Sequence, residues 1–103
     1  MNTENRAVTY EITATVDLAF RTKFEIFMIE RHIPDLMETG CFSSASLARS
    51  APGRYRTRYE ARDRESLDRY LAEHAQGLRA HVMETFPIGV NFEREEWEVL
   101  ARF

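Results

Sequence analysis

The stretch that decides the fold lies mid-chain and reads Ser50-Ala51-Pro52-Gly53-Arg54-Tyr55-Arg56-Thr57-Arg58-Tyr59. Its first four residues have the composition of a tight turn, so segments 42–49 and 54–61 are predicted to form a hairpin. In the second segment arginines alternate with tyrosine and threonine, which is typical of a strand with one covered face. Because burying three unpaired guanidinium groups would be costly, the arginines are expected to face away from the helices.

Further strands and helices are predicted on either side of this hairpin. Alternating apolar and polar residues over 8–16 predict a first strand, and 90–99 a last one. Apolar residues at helical spacing follow Asp17 and Asp63, which are expected to cap one helix each. The predicted order is the ferredoxin-like split βαβ arrangement (βαββαβ), a single α+β domain over residues 1–103. It has a four-stranded antiparallel sheet with two helices on one face.

Three places in this pattern are irregular. Pro34 is expected to break or kink the first helix, and Gly40 is placed to end the turn that follows. In the last strand the two apolar pairs have opposite parity, which requires either a bulge near 94–96 or a change of face. In the second strand, one hairpin register puts Ala45 and Leu47 on the open face, and the neighbouring register buries them.

Composition restricts the class of protein. The chain has 103 residues and a formal net charge of −3, whereas proteins that mainly neutralise phosphates carry a basic surplus, so nucleic-acid binding is not expected. RNA-recognition modules of this strand order need aromatic rings on the open face, and the expected orientation hides Tyr55 and Tyr59. The single cysteine, Cys41, excludes an internal disulfide and a multi-cysteine zinc site.

The N-terminal segment and the hydropathy of the chain bear on its location. Residues 1–6 lack the charged-then-apolar order of a signal peptide. No apolar run approaches the ~20 residues that cross a bilayer. A cytoplasmic protein with no membrane partner is therefore expected.

The open face of the predicted sheet suits pairing with a second copy of the chain. Glu11 and Glu93 are expected there, opposite Arg56 and Arg58, which would provide complementary charge across a two-fold interface. The alternative is a solvated face with ion pairs worth about 0–1 kcal/mol each.

Two closely spaced motifs resemble a small bacterial family, the domain of unknown function 4286. They are His32-Ile33-Pro34-Asp35 and Thr39-Gly40-Cys41-Phe42. The resemblance extends from Tyr10 to Leu100. Further matching residues are Tyr55, Tyr59, Arg64-Glu65-Ser66-Leu67, Tyr70, Leu71, Arg94 and Glu96-Trp97-Glu98-Val99.

The resemblance implies a ferredoxin-like fold of the dimeric α+β barrel type, in which two sheets face each other. It implies no activity. Some better-known proteins of this architecture are cofactor-free monooxygenases, isomerases or haem-handling enzymes, but a fold alone does not transfer chemistry.

His32 and Asp35 are the candidate catalytic residues. They lie three positions apart at the expected helix end, where a hydrogen bond between them is geometrically possible. A carboxylate that holds an imidazole in one tautomer orients a general base. The structural alternative is that His32 stabilises the last helix carbonyls and Asp35 caps the next turn.

The candidate ligand-binding residues are Arg56, Arg58, Arg94, Glu96 and Tyr59. The first two belong to the open face, and Arg94 and Glu96 lie at the expected bulge, where they could line a barrel mouth or form an ordinary ion pair. Tyr59 could orient a small aromatic ligand or serve as a core residue whose hydroxyl needs a partner. His81 and Glu84 have a workable i,i+3 spacing for a metal, but two ligands do not make a site, so neither a metal nor a cofactor is expected.

Three functions remain open at this point. The first is a homodimeric α+β barrel that binds a small ligand at the open sheet face. The second is a cofactor-free oxygenase or isomerase that uses His32 with tyrosine or arginine partners. The third is a protein-interaction module without catalysis.

Overall fold

Four strands form one antiparallel sheet in the computed structural model, which describes residues 6–103. The spatial order is β2-β3-β1-β4, and each neighbouring pair is antiparallel. This confirms the predicted ferredoxin-like α+β fold. The strands are β1 (Val8–Val16), β2 (Ser44–Ala51), β3 (Arg54–Ala61) and β4 (Val90–Glu98).

Two earlier expectations reach beyond this part of the chain. Residues 1–5, which include most of the segment that lacks a signal-peptide pattern, lie outside the described residues. The single domain over 1–103 accordingly stays a prediction.

The register of β3 puts its arginines on one side of the sheet and its tyrosines on the other. Tyr59 pairs with Tyr10 of β1 on the helix side, whereas Arg58 pairs with Glu11 on the open side. Tyr59 is 0% exposed, and the β3 arginines are exposed. The predicted orientation is confirmed. Leu47 pairs with Thr57, so it lies on the helix side and the second of the two hairpin registers is the one adopted.

The bulge predicted near Arg94 to Glu96 is absent. Pairing between β1 and β4 continues without interruption from Val8↔Glu98 to Val16↔Val90. Side chains therefore alternate regularly along β4. The predicted alternative to a bulge holds, because the apolar residues of the strand change from one face of the sheet to the other. Arg94 lies on the helix side, and Trp97 lies on the open face, where it is 55% exposed.

The first helical segment widens before Pro34 instead of breaking. The Ile33 N–H donates to the Met28 carbonyl, five residues back. A proline ring clashes with the carbonyl four residues earlier in a regular α-helix. After the wider turn, Pro34 occupies the first turn of the next helix, where its missing N–H is tolerated. The segment comprises a 3₁₀ turn (Leu18–Phe20), α1 (Arg21–Phe27), a π-helical turn (Met28–His32) and α2 (Ile33–Glu38).

The two predicted helix caps have different outcomes. Asp63 Oδ1 accepts a hydrogen bond from the Ser66 N–H at 2.8 Å and caps the second helical segment as predicted. The Asp17 side chain makes no capping bond. The first turn is 3₁₀, and the Phe20 N–H donates instead to the backbone carbonyl of Asp17 at 2.9 Å. Gly40, at φ +75°, follows the end of α2 as expected.

The second helical segment is divided at His74. It consists of α3 (Arg64–Glu73) and α4 (Ala75–Thr85), and His74 between them has φ −124° and ψ −32°. All these helices pack on one face of the sheet. None of the helices in residues 6–103 is long and apolar enough to cross a membrane.

Aromatic rings form a large part of the core between the sheet and the helices. One cluster contains Tyr10, Phe42, Tyr59 and Tyr70. The neighbouring cluster is built around Phe24. Where the two clusters meet, the side chains leave an unfilled space.

Candidate functional site

A cavity lies between the sheet and the helices where the two aromatic clusters meet. Its volume is about 30 Å³, enough for a water molecule as it stands. β1, the first helical segment, β3, α3, α4 and β4 all contribute to its walls. The apolar part of the wall consists of Ile12, Ala14, Phe24, Met28, Leu36, Val82 and Phe92.

Three buried polar atoms of residues that line this cavity have no hydrogen-bond partner among residues 6–103. They are His32 Nδ1, Tyr59 OH and Arg79 Nε, and all three residues belong to the cavity wall. Buried polar groups in proteins are nearly always paired, and leaving one unpaired costs about 1–3 kcal/mol. Their convergence on one space is the strongest indication of a binding site in the described part of the molecule.

The π-helical turn brings His32 into the cavity. Its ring is 8% exposed and stacks on Phe27, with ring centroids 5.7 Å apart. Burial lowers the pKa of His32 to about 4, with Asp35 opposing the shift and the charges of His81 and Arg94 adding to it. The imidazole is therefore neutral near pH 7. Widened turns of this kind occur frequently at functional sites.

The predicted hydrogen bond between His32 and Asp35 is not formed. Asp35 Oδ2 lies 3.6 Å from Arg31 Nε, one turn earlier on the exposed side of the helix. The structural alternative for His32 does not apply either, because the helix continues past it into α2. Its side chain faces the cavity instead.

Tyr59 and Arg79 provide the other unpaired atoms. Burial raises the pKa of Tyr59 above its ordinary value, with the neighbouring Tyr70 and Tyr10 adding to the rise, so the phenol stays protonated and can donate. Arg79 Nη2 donates to Tyr10 OH at 2.7 Å, and its Nε–H is left over. The sequence reasoning missed Arg79, although it lies four residues after Ala75 on the side of α4 that faces the core.

Arg94 is at the mouth of the cavity. Of the residues that line it, Arg94 alone is exposed, because it stands on the edge strand β4. Its guanidinium carbon is 5.6 Å from the centre of the Phe92 ring, a cation–π distance. Glu96, on the same side of β4, does not join it: Glu96 Oε1 lies 2.6 Å from Arg64 Nη2 of α3.

Arg56 and Arg58 lie on the opposite side of the sheet from this cavity. Their Nε atoms are 3.9 Å and 3.4 Å from the Glu11 carboxylate. The predicted ligand-binding residues therefore do not form one site, because consecutive strand positions alternate between faces. Tyr59 and Arg94 belong to the cavity, and Arg56 and Arg58 to the open face.

The open face carries a broad groove of about 610 Å³. Its charges are segregated by strand. Arginines lie on β3 and at Arg49 of β2, and Glu11 of β1 pairs with Arg56 and Arg58 of its own protomer. Glu95 lies on β4 with no cation within 4.0 Å in the described residues. Trp97 lines the groove on its β4 side. In residues 6–103, no group of three or more histidine, cysteine, aspartate or glutamate side chains could hold a metal ion.

Comparison with known proteins gives the family and the fold. Residues 7–100 match the family described as Domain of unknown function (DUF4286). No curated protein matches the sequence.

Several solved structures have the same fold. Their sequence identity to this chain is low, so the similarity shows the fold alone. SnoaB, a cofactor-independent oxygenase from Streptomyces nogalater, is 18% identical in a mutant form, with TM-score 0.72 over 93% of this chain and 95% of SnoaB. A dimeric ferredoxin-like protein from an uncultured marine organism is 19% identical, with TM-score 0.74 over 95% and 99% of the two chains. A protein of unknown function from Nitrosomonas europaea is 13% identical, with TM-score 0.70 over 97% and 95%.

Proposed function

The chain belongs to the DUF4286 family of domains of unknown function, and from that premise we propose that it is a homodimeric α+β barrel that binds a small organic molecule. The proposed site is the cavity between the sheet and the helices of each protomer. The sequence favoured the open face for this role; the cavity replaces it because the unpaired polar atoms are there. The cytoplasmic location expected from the sequence stays a prediction.

The convergence of His32 Nδ1, Tyr59 OH and Arg79 Nε on one cavity carries this proposal. A ligand with oxygen atoms and an apolar body could pair with these groups and contact the surrounding rings. Ligand pockets commonly combine apolar walls with a few convergent polar groups. The pocket would enlarge on binding, since Met28 is flexible and Arg94 is exposed.

A thermal-shift screen of aromatic and heteroaromatic compounds tests the site. A ligand at ~100 times its Kd adds about 2.7 kcal/mol of stability. We expect compounds that stabilise the wild type to lose that effect in His32→Ala and Tyr59→Phe and to keep it in Arg56→Gln. Compounds whose effect disappears only in Arg56→Gln would place binding on the open face and contradict the proposed cavity.

Charge segregation on the open face supports the homodimer. Neighbouring strands are about 4.8 Å apart, so Glu93 and Glu95 on β4 are two strands away from the β3 arginines of their own protomer. Facing two open faces about a two-fold axis would lay each acidic row over the partner's basic row. The dimeric ferredoxin-like neighbour is consistent with this arrangement.

Catalysis by His32 is the second candidate function. Its neutral imidazole, in a pocket of apolar side chains, could take a proton from a carbon next to a carbonyl. The C–H bond breaks, Nδ1–H forms, and the electron pair moves to the carbonyl oxygen as an enolate. In this candidate mechanism Arg79 and Tyr59 donate to that oxygen. Oxygenases that act without a cofactor and isomerases can share this first step, and SnoaB has the same fold.

Deuterium exchange tests this candidate directly. We expect the wild type to accelerate exchange of the acidic methylene protons of 2-tetralone in D₂O, followed by NMR. Arg56→Gln should retain the acceleration and His32→Ala should lose it. Equal rates with wild type and His32→Ala would reject the catalytic role. The remaining alternative, an interaction module, predicts a bound protein partner and no stabilising small molecule.

A further inference from the structure

The charges in the cavity wall are all of one sign. Among residues 6–103, Arg79 and Arg94 line the cavity, and no aspartate or glutamate does. Neither guanidinium has a carboxylate oxygen within 4.0 Å in residues 6–103, whereas Arg56, Arg58 and Arg64 each have one. For the half-buried Arg79 this is unusual, because an arginine away from bulk water normally has an anionic partner.

Arg79 is half-buried between α4 and the sheet. Its one hydrogen bond within the described residues goes to Tyr10 OH, which is a neutral group and does not balance the charge. A guanidinium offers five N–H donors in a planar fork that fits the two oxygens of a carboxylate or a single oxyanion. The unpaired Nε–H is one of these donors.

Arg94 approaches the same region from the mouth. The positive charges of Arg79 and Arg94 both oppose the rise that burial causes in the pKa of Tyr70. Both guanidinium groups therefore lie near one phenol of the cavity wall. Because Arg94 is exposed and has no ion-pair partner among residues 6–103, its side chain is free to close over a ligand.

The rest of the wall is aromatic and aliphatic. Phe24 and Phe92 have ring centroids 6.4 Å apart, and Met28 lies in the same wall. A cavity of about 150 Å³ accommodates a benzene ring, so a ring would displace the flexible Met28 and Arg94 side chains. These features favour a flat apolar body with a charged group at one end.

We infer that the cavity takes an aromatic anion, a carboxylate or an enolate or phenolate, whose oxygens pair with Arg79 and Arg94. This inference rests on the proposed function, because it names the ligand class of the same cavity. The ring would lie against Phe24 and Phe92, and the neutral His32 would form a hydrogen bond without adding charge.

Isothermal titration with two probes of equal shape tests the charge requirement. The matched pair is 2-naphthoate and the uncharged 2-naphthamide. A third probe, 4-nitrophenol, represents the phenolates. We expect the wild type to bind naphthoate roughly tenfold more tightly than naphthamide. Arg94→Gln and Arg79→Gln should remove most of that difference, and Arg94→Lys should restore part of it. Arg56→Gln is the matched control on the open face and should change neither affinity.

Each other outcome overturns the inference in a distinguishable way. If both naphthyl probes bind the wild type equally and His32→Ala weakens both, the anion requirement falls while the proposed cavity stands. If Arg56→Gln weakens naphthoate binding and Arg94→Gln does not, the anion binds the open face, and both proposals fail. If none of the three probes binds, the aromatic-anion class is rejected. Arg94 is exposed, so its variants are expected to fold and keep the test decisive even if Arg79→Gln does not fold.

Discussion

Tyr10 and Tyr59 are cross-strand partners with ring centroids 6.2 Å apart, yet their hydroxyl groups have different surroundings. Tyr10 OH accepts a hydrogen bond from Arg79 at 2.7 Å, whereas Tyr59 OH has no partner in residues 6–103. Both rings are buried. The Tyr10 hydroxyl is therefore part of the hydrogen-bonded core, and the Tyr59 hydroxyl is available to a ligand bound in the cavity.

The two phenols should respond oppositely to loss of the hydroxyl. Tyr59→Phe removes an unpaired buried group, so we expect the free energy of unfolding to rise by about 1 kcal/mol. Tyr10→Phe leaves an Arg79 donor unpaired and should lower it by about 1–3 kcal/mol. Urea unfolding of the ligand-free protein measures both. A less stable Tyr59→Phe variant would indicate that its hydroxyl already has a partner.

His32 should make stability fall as the pH is lowered. Its pKa is about 4 in the folded protein and about 6.5 in the unfolded chain. The unfolded chain therefore binds more protons between these values, so the contribution is complete above about pH 6.5 and is lost as pH falls through about 4. The difference corresponds to roughly 3 kcal/mol.

The measurement compares unfolding free energies at pH 7 and pH 4.5 in the wild type and in His32→Asn. Carboxylates also titrate in this range, so the informative quantity is the difference between the two proteins. The variant should lose about 2–3 kcal/mol less than the wild type on acidification. His74→Asn, at the junction of α3 and α4, is the matched control for replacing a histidine outside the cavity.

Charge reversal should control the proposed dimer. We expect the Arg56→Glu/Arg58→Glu protein and the Glu93→Arg/Glu95→Arg protein each to sediment as monomers at tens of micromolar. Mixing them should restore a dimer, because each basic row then faces an acidic row again. Sedimentation velocity measures all three samples. A wild type that is itself monomeric at this concentration would contradict the dimer.

Trp97 should contribute to the same interface. It is 55% exposed on the open face, and Ile88, in the loop before β4, is 70% exposed. Large aromatic residues are enriched among the residues that dominate binding energy at interfaces. We expect Trp97→Ser to weaken dimerisation at least tenfold and Ile88→Ser to leave it unchanged. If Ile88→Ser weakened the dimer and Trp97→Ser did not, the interface would lie near the loop before β4 and not on the open face.

The two aspartates predicted as helix caps provide a matched pair. Asp63→Ala should lower the urea midpoint, because the Ser66 N–H loses its acceptor. Asp17→Ala should have little effect, since its side chain makes no capping bond. A reduced midpoint in both variants would mean that Asp17 acts through the charge at the helix start.

The sheet could be predicted from sequence because its faces differ so strongly. Arginine alternates with tyrosine or threonine in 54–59, and only one orientation avoids burying the charges. The last strand was harder, because Val90 and Trp97 differ in parity and a bulge or a face change explains that equally well. The register of β4 against β1 decides between the two. That register depends on both strands and cannot be predicted from the sequence of β4 alone.

The candidate site was found only in part. His32, Tyr59 and Arg94 could be singled out by residue type, but their grouping depends on which face each strand position adopts. Arg79 was missed because an arginine within a helix is usually solvent-exposed. Its position follows from the packing of α4 on the sheet, which brings it to Tyr10, 69 residues away in sequence.

The wide turn before Pro34 also bears on how the family diverges. Its hydrogen bond spans five residues where an α-helix spans four, so the turn accommodates an additional amino acid. A relative with one residue fewer between Phe27 and Pro34 would have its proline inside a regular helix, where the ring would kink or break the helix, and its histidine would be rotated away from the cavity. Among DUF4286 members, a single-residue gap in this position is therefore expected to mark chains whose histidine does not reach the cavity.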